Sequence, residues 1–303
     1  MKFFILILLP LLLVTACAPQ EQEIISRDVK LPTDTEKITS EMDLHPPILH
    51  SNEFESPVPL AVINTAGGED SPFIYNNELY FFFTPDVRIL VEKQVIDGVT
   101  GIYLSKQVNG AWQEPERVWL QKPGKLSLDG CQFVNNNLMY FCTAREGYTG
   151  LHWFTAERKN GGWNNWKLAD FNSEYNVGEL HIYQNELYFH ADHNGNLDLW
   201  MSEKVNGEWQ TPKNLESVNS EEYEGWPYIT PDGQELWFNR QHLGTPALFR
   251  SKKIANEWQE PEMIISQFAG EPTLDNEGNV YFVHHYYKDS VMLEADIYVA
   301  YKK

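Results

Sequence analysis

The sequence predicts an all-β fold: a five-bladed β-propeller of four-stranded blades, its ring closed by an N-terminal outer strand. Three observations carry this expectation. Aromatic residues make up 14% of 303 residues, and aromatic rings suit a pleated surface. A short run, an Asn or Asp-Gly turn and a Leu-Tyr-Phe run recur five times, at 71–83, 131–142, 179–190, 226–239 and 271–283; each reads as a hairpin. A second pattern follows each of the first four: an aliphatic-aromatic pair, Ser or Thr, a turn-forming pair and Trp. Its tryptophans, Trp112, Trp163, Trp209 and Trp258, are 51, 46 and 49 residues apart. A four-stranded unit at this period is a propeller blade.

The elements follow in chain order. Residues 1–16, MKFFILILLPLLLVTA, place Lys2 before an apolar run too short to span a bilayer. Val14-Thr15-Ala16-Cys17 resembles the bacterial lipobox, which implies cleavage before Cys17 and its lipidation with fatty acyl chains such as palmitate. Several acyl chains on one residue give durable membrane anchoring. By resemblance to enterobacterial sorting rules, Ala18 after the cysteine directs the protein to the outer membrane. The folded part would then sit in the periplasm, or on the cell surface if the lipoprotein is exported across that membrane. Residues 17–52 are polar and hold four Pro, reading as a flexible tether. Residues 53–303 are the propeller.

Within it, the hairpins supply the A and B strands of each blade. The C strands are GIYLS (101–105), LHWFT (151–155), DLWMS (198–202) and ALFRS (247–251), with DIYVA (296–300) ending the chain. The stretches from each Trp onward are D strands. The fifth repeat lacks one. Phe54-Glu55-Ser56-Pro57 followed by VPLAVI has the spacing of Trp258-Gln259-Glu260-Pro261 followed by EMIISQ. Residues 54–63 are therefore expected to supply the missing outer strand, closing the ring and leaving no dangling inner edge. The four tryptophans read as packing between blades, and the Asn-Gly before them as turn chemistry.

Glu224-Gly225-Trp226-Pro227-Tyr228-Ile229-Thr230-Pro231-Asp232-Gly233, then Leu236-Trp237-Phe238, with Asp198-Leu199-Trp200-Met201-Ser202, resembles the WD-like repeat of TolB-type periplasmic proteins. The resemblance covers roughly residues 54–303 and implies the fold more than an activity.

The formal charge of −20 argues against a nucleic-acid partner, since phosphates would be repelled. Three cysteines exclude a disulfide-framework miniprotein. Cys131 and Cys142 fall on the paired A and B strands of blade 2, and whether they form a disulfide is left open. No Gly-rich phosphate loop or nucleophile elbow is present.

Loops entering the A strands and joining B to C open on one propeller face. Every A strand has a carboxylate just upstream: Glu69 and Asp70, Asp129, Glu179, Glu224 and Glu271. The B–C loops add Arg145 and Tyr148 in blade 2, His190 and His193 in blade 3, Arg240 and His242 in blade 4, and His284 and His285 in blade 5. Carboxylates, imidazoles and Arg converging on one concavity compose a polar ligand site. Equally, a carboxylate there can accept loop amide hydrogen bonds for structural reasons alone. His181 alternates with Ile182 in a strand and reads as buried rather than catalytic. No zinc motif is present; a Ca²⁺ ion with oxygen ligands in the acidic channel is chemically as reasonable as a histidine-bound metal.

Two functions follow. One is a binding platform for a protein, peptide or glycan ligand at an acidic, His-lined funnel. The other rests on a resemblance to the five-bladed arabinanase and invertase-like glycoside hydrolases. Asp70-Ser71-Pro72 is similar to their base position and Glu224-Gly225-Trp226-Pro227 to their acid position, with Asp129 or Glu179 tuning the acid. That chemistry needs a base to activate water and a carboxyl kept protonated by its neighbours.

Overall fold

The computed structural model describes residues 26–122, 125–148, 150–193 and 195–303. The expected signal segment, Cys17 and the start of the tether lie outside the described residues.

The chain is an all-β propeller. Antiparallel pairing builds five meanders, with strands A to D running outward. Blade 1 is Gly68–Tyr75, Glu78–Thr84, Gly101–Val108 and Glu116–Arg117; blade 2 is Ser127–Asn135, Leu138–Arg145, His152–Lys159 and Gly162–Leu168. Blade 3 is Leu180–Tyr183, Glu186–Asp192, Leu197–Val205 and Lys213–Asn214; blade 4 is Glu224–Ile229, Glu235–His242, Thr245–Ile254 and Glu262–Ser266. Blade 5 is Ala269–Leu274, Val280–Lys288 and Val291–Ala300, and its outermost strand is Val58–Pro59, paired with Val299 and Tyr298. The A strands touch in a closed circuit, each blade meeting the next and blade 5 meeting blade 1.

Apolar side chains lie between blades, in five clusters. The repeated tryptophans explain why. Trp112 packs edge-on against Tyr281, Trp163 against Tyr80 and Trp258 against Tyr188. Trp209 meets Phe171 in the connection after blade 2, while these three D-side tryptophans each cover an aromatic of the neighbouring blade's B strand. Phe54 does the same for blade 5 against Trp237, with ring centroids 6.0 Å apart. Edge-to-face pairs add about 0.5–1.5 kcal/mol beyond their area. Phe54 also bridges Lys302, so both ends of the chain meet in this blade.

The flexible tether expected over 17–52 is corrected for its described part. Residues 26–52 lie against blades 1, 4 and 5. Ile48–Leu49 add a strand to blade 4. Arg27 is buried and pairs with Glu69 at 2.9 Å. Lys37 meets Glu294 and Asp296, and Asp43 meets His284 at 2.9 Å. Buried carboxylates on the propeller need a cation, and this arm supplies two of them.

Cys131 and Cys142 form a disulfide with Cα atoms 5.4 Å apart. The A–B turn of blade 2 centres on Asn136-Asn137, since Asn135 pairs with Leu138. That register brings the two cysteines into range.

Candidate functional site at the channel

The inner strands do not run regularly past the axis. Four shift register at the same level: between Asp70 and Phe73, Gly130 and Phe133, Gly225 and Tyr228, and Gly270 and Thr273. Ser71, Cys131, Trp226 and Glu271 sit at these bulges with φ of 48°, 53°, 53° and 58°. A non-glycine residue in this region carries roughly 1–2 kcal/mol of strain. The bulge aims each of these residues at the channel.

There they line a cavity with Gln132, Glu179, Leu180 and His181. The Ser71 amide donates to Asp70 Oδ1 at 2.6 Å and to Glu271 Oε2 at 2.9 Å. Glu271 and Glu179 are half-buried in the cavity wall. Burial first, and then the charge of Asp70, push Glu179 up to about 8; the Trp226 indole N–H pulls the other way. Glu271 is held well above the ordinary carboxylate range by burial, by Asp70 and by Glu179. Among the described residues, no Arg or Lys pairs with either. Gln132 donates to the Ser71 carbonyl and leaves its Oε1 buried without a partner. The cavity has about 40 Å³, and since one water needs roughly 10–15 Å³ of such space, it holds about three.

Asp129 and Glu224, expected beside these groups, are engaged elsewhere. Arg145 Nη2 donates to Asp129 at 2.6 Å, with Thr143 at 2.6 Å on the same oxygen. Arg145 lies over Phe141, Phe154 and Trp166. Glu224 accepts from Arg240 Nε at 2.6 Å and from Ser220. Burial raises Glu224 while Ser220 and Arg240 pull it back. Glu69 makes a third such pair, with Arg27. Complete burial pushes it up to about 7 against Arg27 and the Thr65 amide. The expectation that Arg145 and Arg240 face a ligand is therefore corrected: their guanidiniums neutralise the buried carboxylates Asp129 and Glu224.

The remaining sequence expectations divide. His190 lies on Gly178, where any side chain would collide with it, and close against Gly225, and its Nδ1 accepts the Trp226 amide at 3.2 Å. Burial lowers it to about 4, so it is neutral and positions the channel backbone. His193 meets Trp200 edge to face, as Tyr148 meets Phe154; neither borders the carboxylate cavity. His242 stands at the B–C turn opposite Thr245. His284 is fully buried and bound to Asp43. Its neighbour His285 is the one that feels Asp70; burial lowers it and Asp70 opposes that. Strand alternation is the signal that separates the two. His181, read as buried, is half-buried between the two cavities, and its Nδ1 accepts the Ile229 amide at 2.9 Å. Gln132 and Trp226 escaped the sequence reading, because nothing local announces a bulge. Among the described residues no cluster of three or more His, Cys, Asp or Glu could hold a metal ion.

No protein-family model and no curated protein matches the chain. Among solved structures it is similar to the Bacteroides ovatus xyloglucan PUL GH43B, with 12% identity over 80% of this chain and 54% of that one, at a TM-score of 0.49. It is similar to a gluconolactonase of Xanthomonas campestris, with 9% identity over 90% and 97% of the two chains and a TM-score of 0.48. It is also similar to TolB of Acinetobacter baumannii, with 13% identity over 65% and 46% and a TM-score of 0.41. The chain spans about half the length of the first and the last of these. Both groups that the sequence resembles are thus among its structural neighbours.

Proposed function

We propose that this propeller is a binding platform, anchored to the outer membrane through Cys17, that takes a cationic group of a protein or peptide ligand at the carboxylate end of its channel. One observation carries the reading. Glu179, Glu271 and the free Gln132 Oε1 present acceptors to a cavity of about 40 Å³ with no protein cation paired to them. An ammonium head is the group with three donors and no acceptor, and it is of water size. Its arrival would displace the proton that Glu179 holds below about 8. Binding should therefore tighten from pH 6 to 8 and release protons, while a lysine stays charged throughout. Calorimetry with acetyl-Gly-Lys-Gly-amide, against the norleucine peptide, tests this in two buffers of different ionisation enthalpy. The lysine peptide should bind and release protons; equal binding of the two peptides, or none, contradicts the reading. A CaCl₂ titration shows whether a hard cation takes the same place. Cys17→Ser should move the protein out of the membrane fraction, and unchanged retention would count against the anchor.

Glycoside hydrolysis is the second reading. It is favoured by a carboxyl held protonated at neutral pH, Glu179, beside Asp70, the acid and base such chemistry needs. In this version Glu179 replaces Glu224, which Arg240 occupies. The cavity of about 40 Å³ is smaller than a sugar ring. Incubation with an oligosaccharide panel, read for binding and for products, separates the readings.

A further inference from the structure

The channel has two ends. Phe73, Phe133, His181, Tyr228 and Thr273 occupy one level, one from each inner strand, opposite Tyr80, Tyr140, Tyr188, Trp237 and Tyr281. Their rings meet: Phe73 and Phe133 at 5.1 Å, Phe133 and His181 at 4.8 Å, His181 and Tyr228 at 4.8 Å between centroids. Three of them border the carboxylate cavity, and four border a second cavity beyond. The layer is a wall between the two.

The second cavity has about 310 Å³ and is made from the ends of the inner strands and their turns. Tyr75, Tyr183, Asn76, Asn135, Gln184 and Asn276 give it its character. None of its lining residues is Asp, Glu, Lys or Arg, in a chain that is 22% charged and carries −20. The rim is also built to hold its shape. Asn76, Asn136 and Gln184 turn at φ of 57°, 55° and 52°, which fixes tight two-residue turns. The Tyr75 hydroxyl donates to Asn136 Oδ1 at 3.3 Å and accepts the Asn136 amide at 3.0 Å, tying blade 1 to blade 2. The Tyr183 ring lies on Gly233, where any side chain would collide with it, and its hydroxyl accepts from Gln184 Nε2 at 2.9 Å.

We propose that this cavity is a binding site for a neutral sugar residue. Each amide offers both donors and an acceptor, as each sugar hydroxyl does. The tyrosine rings offer flat apolar faces with polar edges, as the carbon face of a sugar ring requires. A site without charge, set in an acidic protein, gives neither an anion nor a cation a partner. Its rigidity lowers the ordering cost of binding. The site lies across the aromatic wall from the carboxylates and does not depend on what they bind.

Saturation-transfer NMR with the whole protein tests it, using maltotriose, cellotriose, xylotriose and mannotriose as neutral probes and trigalacturonate as the charged one. At least one neutral probe should receive saturation, and trigalacturonate should not. Tyr183→Ala and, on the exposed rim, Asn276→Asp should each weaken that probe by about tenfold or more. Tyr183→Phe should keep the stacking and most of the affinity. Leu243→Ala, an exposed side chain on the B–C turn of blade 4 at the other end of the propeller, should leave the transfer to that probe unchanged. A panel with no neutral binder, equal transfer to trigalacturonate, or binding that survives both Tyr183→Ala and Asn276→Asp would overturn the proposal.

Discussion

Glu69 and Asp70 are neighbours in one strand, yet they belong to different machinery. Glu69 is held by Arg27 and Thr65 and, like Asp129 and Glu224, spends its charge inside the protein. Asp70 shares the Ser71 amide with Glu271 and adds its charge to the burial of Glu179 and Glu271. In the first set neighbouring cations oppose burial; in the second, neighbouring anions reinforce it. A one-residue step at the start of an inner strand decides between them, because the step crosses from the space between blades to the channel. The first set should therefore govern stability and the second set binding.

Three substitutions break or sharpen that contrast. The largest effect is expected from Arg145→Met, which leaves Asp129 buried with no cation. Both side chains are almost completely buried, so the loss should be about 3–5 kcal/mol in urea unfolding. Adding Asp129→Asn should restore most of it. A loss below about 1 kcal/mol would place Asp129 outside the structural set. Arg27→Met removes the cation from Glu69, but the Thr65 amide and hydroxyl remain. A smaller cost of about 2 kcal/mol is expected, and it would show the arm to be part of the folded unit. Smallest should be Tyr148→Ala, on the rim of blade 2: no change in lysine-peptide affinity and a stability change within about 1 kcal/mol.

How much of this was legible in the sequence depends on distance along the chain. Trp112, Trp163, Trp209 and Trp258 announce the repeat because each blade rebuilds the same local pattern, and Phe54 announces the outer strand because it copies Trp258. Glu271 and Glu179 could be named as members of a carboxylate ring for the same reason. What could not be read was which carboxylates meet. Ser71, Cys131 and Trp226 are not residues that favour a left-handed backbone, so the bulges that turn them inward leave no trace in composition. Glu224-Gly225-Trp226-Pro227 reads well as an acid position, but Arg240 and Ser220 already hold its carboxylate. The arm was misread because its partners are far away: Arg27 meets Glu69, Lys37 meets Glu294 and Asp43 meets His284. Single charges in a polar, Pro-containing stretch look like solvated tether until their partners are known.

The central claim is that Glu179 and Glu271 are uncompensated in the free protein. It is tested most directly by the stability of the wild type and of Glu179→Gln/Glu271→Gln, measured by urea unfolding from pH 5 to 8. Glu179 has a folded value of about 8 against an ordinary 4.5. The folded state therefore holds its proton more firmly than the unfolded state. That group's contribution is full below about 4.5 and is lost as pH rises toward 8. Glu294, also raised to about 8, gives both proteins a shared slope, so the difference between them is the reading. The account predicts that the variant gains on the wild type as pH rises, is a few kcal/mol more stable at pH 8, and no longer binds the lysine peptide. Parallel pH profiles, or a variant less stable than wild type at pH 8, would contradict it.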